Sequence, residues 1–300
     1  MPPSPAGRLL PPLLRLLRRR REFEHPERML RAVQDRLLRP VPYGPPGRLG
    51  PVEVEVDADH ATGWPVYRVL PRDRTPERAA VYVHGGAWVN QIHPLHWRLV
   101  ARLAARSGAA ITVPVYPLAP RGTAATVVPP VADLLTALAD RYGAGRVTAL
   151  GDSAGGQIAL SAALLLRDRG VPPLHRTVLI SPAVDLTLAN PEIDLVEPRD
   201  PWLARPGTRA AIELWRGELP LTDPLVSPLF GELAGLGPLT VFSGTRDITS
   251  PDTRLLVERA RAAGVPVDHH EEEGLVHVHA LLPVPEGRRA QRVMAEVLAG

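Results

Sequence analysis

The chain has 300 residues, 45% of them apolar, with no cysteine and 35 basic residues against 32 acidic ones. That length and apolar content can bury a full α/β core as one catalytic domain with a small cap, and the missing cysteines exclude disulfides and thiolate metal sites. All 35 basic residues are arginine, and ten fall in residues 1–40 against four acids, so of a net charge of +3 the remaining 260 residues carry −3.

In chain order, the leucine pairs Leu9-Leu10, Leu13-Leu14 and Leu16-Leu17, followed by Arg18 to Arg21, predict an amphipathic helix. It reads either as a helix on a membrane surface or as part of a cap. It is not a signal peptide, because the arginines follow the apolar stretch and no small-residue cleavage site appears. A second helix is expected over Pro26 to Leu38, with Met29, Leu30, Val33 and Leu37 on one face. Strands are expected near 52–56, 65–70, 79–83, 110–115, 147–151, 176–181, 239–243 and 266–272, and helices near 95–107, 128–142, 153–168, 250–263 and 286–298. Strands alternating with helices imply an α/β fold with a mostly parallel sheet, helices on both faces and a site at the C-terminal strand ends. The proline-rich stretch 183–232 reads as a cap insertion, giving N-terminal cap helices over 1–45 and a catalytic domain over 46–300.

Two glycine-containing turns carry the chemistry. Gly151-Asp152-Ser153-Ala154-Gly155 follows the strand Val147–Leu150 and precedes the apolar helix former run Ile158–Leu166, which is the G-x-S-x-G nucleophile elbow in its strand, turn, helix context. Its glycines leave room where the backbone reverses around the serine. Upstream, the strand Ala79–Val83 delivers His84-Gly85-Gly86-Ala87-Trp88, and two adjacent glycines there offer backbone N–H groups to an oxyanion. Gly85, Gly86 and Ala154 are the expected donors. A serine nucleophile also needs a base and an acid, in the order Ser, Asp, His on this architecture. Asp247, just past the strand Leu239–Ser243, is the expected acid; Asp252 competes, but Ser250-Pro251-Asp252 reads as a helix start. His277, three residues after Gly274, is the expected base, with His279 the alternative. No H-E-x-x-H motif supports zinc hydrolysis, and no metal or other cofactor is expected.

The two motifs together, with Tyr116-Pro117-Leu118-Ala119-Pro120 and Ser227-Pro228-Leu229, resemble the hormone-sensitive-lipase family of α/β-hydrolases over roughly residues 65–299. The resemblance implies an α/β-hydrolase fold, a cap over the site, and carboxylesterase activity on short or medium acyl chains. The chain departs from the family pattern at Ala87 in place of the third motif glycine, at Gln91, at Pro117 and at His279, where an aromatic is usual. Backbone donation survives the change to Ala87 if its φ is negative. An amidase or formamidase on the same triad, and a binding protein that has lost catalysis, stay open as alternatives. The expected partner is a small-molecule ester, with a peripheral membrane contact of the arginine-rich N terminus and a homodimer left open. Nucleic acid is not expected, since aromatics are sparse and no binding motif accompanies the arginines. No apolar run is long enough to span a bilayer, and the expected location is cytoplasmic.

Overall fold

In the computed structural model, which describes residues 2–59 and 61–300, two helices precede the sheet. These are α1 (Pro5–Leu16) and α2 (Pro26–Leu38), joined by a 3-10 turn at Arg19–Glu22. Among the described residues the eight strands are β1 (Val52–Ala58), β2 (Pro65–Pro71), β3 (Ala79–Val83), β4 (Ala110–Pro114), β5 (Val147–Asp152), β6 (Arg176–Ile180), β7 (Leu239–Arg246) and β8 (Val267–Val276). They lie in the order β1-β2-β4-β3-β5-β6-β7-β8. β1 and β2 pair antiparallel at one edge, and every pairing from β4 to β8 is parallel. The remaining helices are α3 (Pro94–Ser107), α4 (Ala124–Tyr142), α5 (Ala154–Asp168), α6 (Ile193–Val196), α7 (Arg205–Arg216), α8 (Ser250–Ala262) and α9 (Pro285–Ala299). Among the described residues no helix is long and apolar enough to cross a membrane.

The strand pleat sends alternate residues to opposite faces, which divides β3 cleanly. Val81 and Val83 join a core with Val131 and Leu135 of α4, Ile158 of α5 and Leu256 of α8. Ala80 and Tyr82 join the other core with Trp97 and Leu103 of α3 and Met294 and Leu298 of α9. Burying each large side chain stabilises the fold by about 1.5–3 kcal/mol, so both helical layers are held to the sheet by apolar contact. α5 is buried nearly all round from Ala154 to Leu164, as its small and apolar residues require. α4 begins at Ala124, ahead of the expected residue 128, and runs through Pro129 and Pro130, its first turn tied by a hydrogen bond from Thr123 N–H to Thr126 Oγ1 (2.9 Å).

The N-terminal helices take different places. α1 buries Leu10 and Leu14 against Leu275, Val276, Leu282 and Val284, while Leu9, Leu13, Leu16 and Leu17 face outward. α2 buries Met29 and Val33 in the core shared with Ala211, Ile212 and Trp215 of α7. Leu30 and Leu37, expected on that buried face, remain about two-fifths exposed (41% and 37%), so the buried stripe is one residue per turn wide.

Candidate active site

Ser153 stands between the end of β5 and the start of α5 with φ 53° and ψ −119°, a conformation costing about 1–3 kcal/mol. Hydrogen bonds on both sides hold it: its N–H donates to Ile180 O (2.8 Å), and its carbonyl accepts from Gln157 N–H (3.1 Å) and Ala183 N–H (3.2 Å). The flanking glycines are there for close approach. A Cβ on Gly151 would lie 2.2 Å from Gly155 O, and one on Gly155 would lie 2.0 Å from Val83 O.

The loop after β3 is tied to the elbow through Asp152. Gly85 N–H donates to Asp152 Oδ1 (3.0 Å), and the Tyr82 hydroxyl donates to the same oxygen. His96 Nε2 lies 3.4 Å from Asp152 Oδ2. Burial works against this carboxylate, but His96, Tyr82 and Gly85 outweigh it and hold its pKa below the usual range. The consequence is a correction to the expected donor set: Gly85 N–H is spent on Asp152. Among the described residues, the N–H groups of Gly86, Ala87 and Ala154 have no acceptor. Ala87 has φ 52° and Trp88 φ 59°, so the condition of a negative φ at Ala87 is not met; its N–H is nevertheless left without an acceptor in this left-handed conformation. A left-handed alanine costs roughly 1–2 kcal/mol, and the loop is pinned in that shape by its neighbours. Trp88 Nε1 and Trp215 Nε1 each donate to Gln157 Oε1 (3.0 Å), and Gly86 O accepts from Asn90 N–H (2.8 Å). His84 is a buttress in this arrangement. It is buried and stacked on Tyr116 at 4.5 Å, with Nδ1 2.7 Å from Gly85 O. Burial, aided by His96, pushes its pKa down to about 4, so it is neutral at pH 7.

Asp247 follows β7 and His277 follows β8, which brings them to the same sheet edge as Ser153. His277 Nε2 lies 2.8 Å from Ser153 Oγ, and His277 Nδ1 lies 2.8 Å from Asp247 Oδ2. Burial alone would lower the pKa of His277, but the charge and hydrogen bond of Asp247 raise it above 6.5, with Asp200 and Asp152 adding to the rise. Asp247 is fully buried; burial pushes its carboxyl up, and His277, Thr249 N–H and Ser181 more than offset this. His279 is buried elsewhere, with neither ring nitrogen hydrogen-bonded, and burial pushes its pKa down to about 4. Asp252 lies in the first turn of α8 and touches neither His277 nor Ser153 through a hydrogen bond. Among the described residues no group of three or more His, Asp or Glu side chains could hold a metal ion.

Two supporting residues were not legible in the sequence. Asp200, in the insertion, accepts from Trp202 N–H (2.7 Å) and Leu203 N–H (2.9 Å) with Oδ1, and from Ile248 N–H (3.0 Å) with Oδ2. Burial and the charge of Asp247 hold its pKa above the usual carboxylate range. Ser181, at the end of β6, accepts from Val278 N–H (3.0 Å). Asp200 carries no local motif, since its partners are set by the packing of the insertion on the acid loop. Ser181 had a weak signal in its position as the last residue of the strand expected near 176–181.

A narrow cavity opens beside Ser153. Its lining includes Ala87 and Trp88 from the loop after β3, Phe23 from the N-terminal segment and Leu203 and Thr208 from the 183–232 insertion. Its volume is about 30 Å³, on the order of two or three water positions. Phe23 is locked against α7: Gly207 N–H donates to Phe23 O (2.8 Å), and a Cβ on Gly207 would lie 2.5 Å from Phe23 Cα.

An eight-stranded, mostly parallel sheet with a serine on a strained turn at its C-terminal edge defines an α/β-hydrolase. The α/β-hydrolase fold family matches residues 80–281, and the chain belongs to it. It is 36% identical over 205 residues to a triacylglycerol lipase of Mycobacterium tuberculosis, an alignment covering 68% of this chain and 42% of the lipase. It is 34% identical to an acetyl-hydrolase of Streptomyces hygroscopicus, covering 75% of this chain and 76% of that protein. Among solved structures it is similar to the hormone-sensitive-lipase homologue EstE7 from a metagenome library, with 28% identity, a TM-score of 0.77, and 97% of this chain and 96% of that one covered.

Proposed function

We propose that this chain is a serine carboxylesterase acting on esters of short or medium acyl chains. The observation that carries the reading is the unbroken line Asp247–His277–Ser153, with 2.8 Å at each junction, ending beside three unengaged backbone N–H groups. Ser153 Oγ attacks the ester carbonyl while His277 Nε2 takes its proton. Asp247 holds Nδ1–H and so fixes the tautomer that leaves Nε2 free to accept. The N–H groups of Gly86, Ala87 and Ala154 receive the oxyanion. Collapse expels the alcohol, which takes the proton from His277, and water then repeats the sequence on the acyl-enzyme. The strained φ of Ser153 keeps its hydroxyl presented to the cavity. The N-terminal segment and the 183–232 insertion act as a two-part cap, since Phe23, Leu203 and Thr208 line the same space. The narrowness of that space supports the short-chain preference.

The test is a panel of 4-nitrophenyl esters from acetate to decanoate together with a fluorophosphonate probe. Turnover should be greatest on the short esters, the probe should label Ser153 alone, and Ser153→Ala should lose both signals. An unlabelled protein, or labelling of a different serine, would reject the mechanism and return the chain to a binding role.

A further inference from the structure

α1 docks one side on the sheet edge and turns another to solvent. Leu10 and Leu14 pack against Leu275, Val276, Leu282 and Val284, whereas Leu9, Leu13 and Leu16 are 65%, 47% and 79% exposed, and Leu17, just past the helix end, is 55% exposed. At 3.6 residues per turn, Leu9, Leu13 and Leu16 form one stripe about 60° wide, roughly a third of a turn from Leu10 and Leu14, and Arg8 and Arg15 lie on its other flank. Residues 2–21 hold six arginines, Arg8, Arg15 and Arg18 to Arg21, and no acid. Arg20 turns inward and donates to the carbonyls of Glu197 and Asp200. The other five are exposed, and among the described residues none of them forms an ion pair. The first acids along the chain are already taken: Glu22 pairs with Arg36 (2.8 Å) and Glu24 with Arg28 (2.9 Å).

A stripe of exposed leucines leaves apolar area in water that a covering partner would remove, and the charge beside it limits what that partner can be. A second copy seated on this face would bring five unpaired arginines from each chain together, with no acid in residues 2–21 to answer them, and like-charge repulsion opposes that. A nucleic acid would meet the arginines and leave the leucines in water. The surface of an anionic bilayer meets both, because head-group phosphates pair with guanidinium groups while leucines enter the boundary with the acyl chains. We propose that α1 and the arginines that follow it dock this protein on the surface of a bilayer containing anionic lipid, with Leu9, Leu13 and Leu16 in the acyl boundary. The docked segment leads through Arg21 to Phe23 in the cavity wall, so the lipid-facing surface and the site share one piece of chain.

The test floats the full chain with vesicles of phosphatidylcholine, either alone or with about 30% phosphatidylglycerol, at about 0.1 M NaCl. Wild type should bind the anionic vesicles at least tenfold more tightly than the neutral ones, and about 0.5 M NaCl should weaken that binding at least tenfold. Leu9→Gln/Leu13→Gln/Leu16→Gln alters only the outer stripe, and Arg18→Gln/Arg19→Gln/Arg21→Gln alters only exposed cations. Each should lower the affinity at least tenfold and keep a thermal midpoint close to that of wild type. The chain has no cysteine, so Leu16→Cys takes a single environment-sensitive fluorophore, whose emission should shift to the blue on anionic vesicles. Binding that the leucine variant retains, or a label that does not shift in bound protein, would mean adhesion by charge alone and overturn the inference. Equal binding to both vesicles, or to neither, would overturn it too. Self-association of wild type that the leucine variant loses, without vesicle binding, would assign the face to a second copy. Every readout is of binding, so the outcome is independent of the esterase reading.

Discussion

In the proposed mechanism only a neutral His277 can accept the proton of Ser153, so its titration would govern the acid side of the activity. Its pKa is raised above 6.5 despite burial, chiefly by the charge and hydrogen bond of Asp247. The neutral form therefore disappears as pH falls through a value above 6.5, and the acid limb of kcat/KM should have its midpoint above pH 6.5. Asp247→Asn removes both stabilising contacts with the imidazolium. Its acid limb should move to lower pH, and its plateau should fall by roughly three to four orders of magnitude because the tautomer is no longer enforced. A limb that stays in place in Asp247→Asn would detach Asp247 from His277. The same geometry separates the two histidines. His277→Ala should lower kcat by roughly three or more orders of magnitude, whereas His279→Phe should keep most activity, because His279 is buried with no hydrogen bond to lose. A dead His279→Phe beside an active His277→Ala would reverse the assignment.

At the level of elements, the N-terminal segment and α7 meet at Phe23 and Gly207. Any side chain at 207 must displace the Phe23 backbone, so Gly207→Ala should destabilise the protein by about 1–3 kcal/mol, read as a lower thermal midpoint, and should alter KM because Phe23 lines the cavity. Removing residues 1–24 deletes Phe23 and undocks Leu10 and Leu14 from Leu275 and Val276, so activity or acyl-chain preference should change. Salt-sensitive binding to anionic vesicles that the truncation abolishes, with soluble-ester turnover unaltered, would instead assign this segment to a membrane surface alone. Most elements were legible because their apolar runs bury on two faces, as in β3, β4 and β5, or on one stripe, as in α2. The limits of legibility are specific. Pro129 and Pro130 hid the first turn of α4, and the leucines of α1 did not reveal which side would dock, since Leu9 and Leu10 have the same chemistry and opposite burial.

For the molecule as a whole, the strand ends that bring Ser153, Asp247 and His277 together could be read from the sequence, but the contacts that join the N-terminal segment and the insertion to the sheet could not. The glycine pair alone points to Gly85 as an oxyanion donor, whereas the pairing of β3 with β5 sets Asp152 under its N–H. Asp200 is the sharper case, because a single residue, through its carboxylate and its carbonyl, links three parts of the chain distant in sequence. It holds Trp202 and Leu203 within the insertion and Ile248 on the acid loop, while the carbonyl of the same residue accepts from Arg20 of the N-terminal segment. In Asp200→Ala two buried N–H groups and one half-buried one lose their acceptor, at about 1–3 kcal/mol for each buried group before relaxation, so global stability should fall by about 2 kcal/mol or more. Ile248 follows Asp247 directly, so the loss should also loosen the acid and reduce kcat. The charge of Asp200 adds to the raised pKa of His277. Asp200→Asn keeps one acceptor oxygen and removes that charge, so its acid limb should shift to lower pH with a smaller loss of stability than in Asp200→Ala. Thermal unfolding and pH–rate profiles of the two variants separate the effects. A limb that does not move in Asp200→Asn would mean that Asp200 supports the loop by hydrogen bonding alone, and unchanged stability in Asp200→Ala would remove it as the link between cap and core.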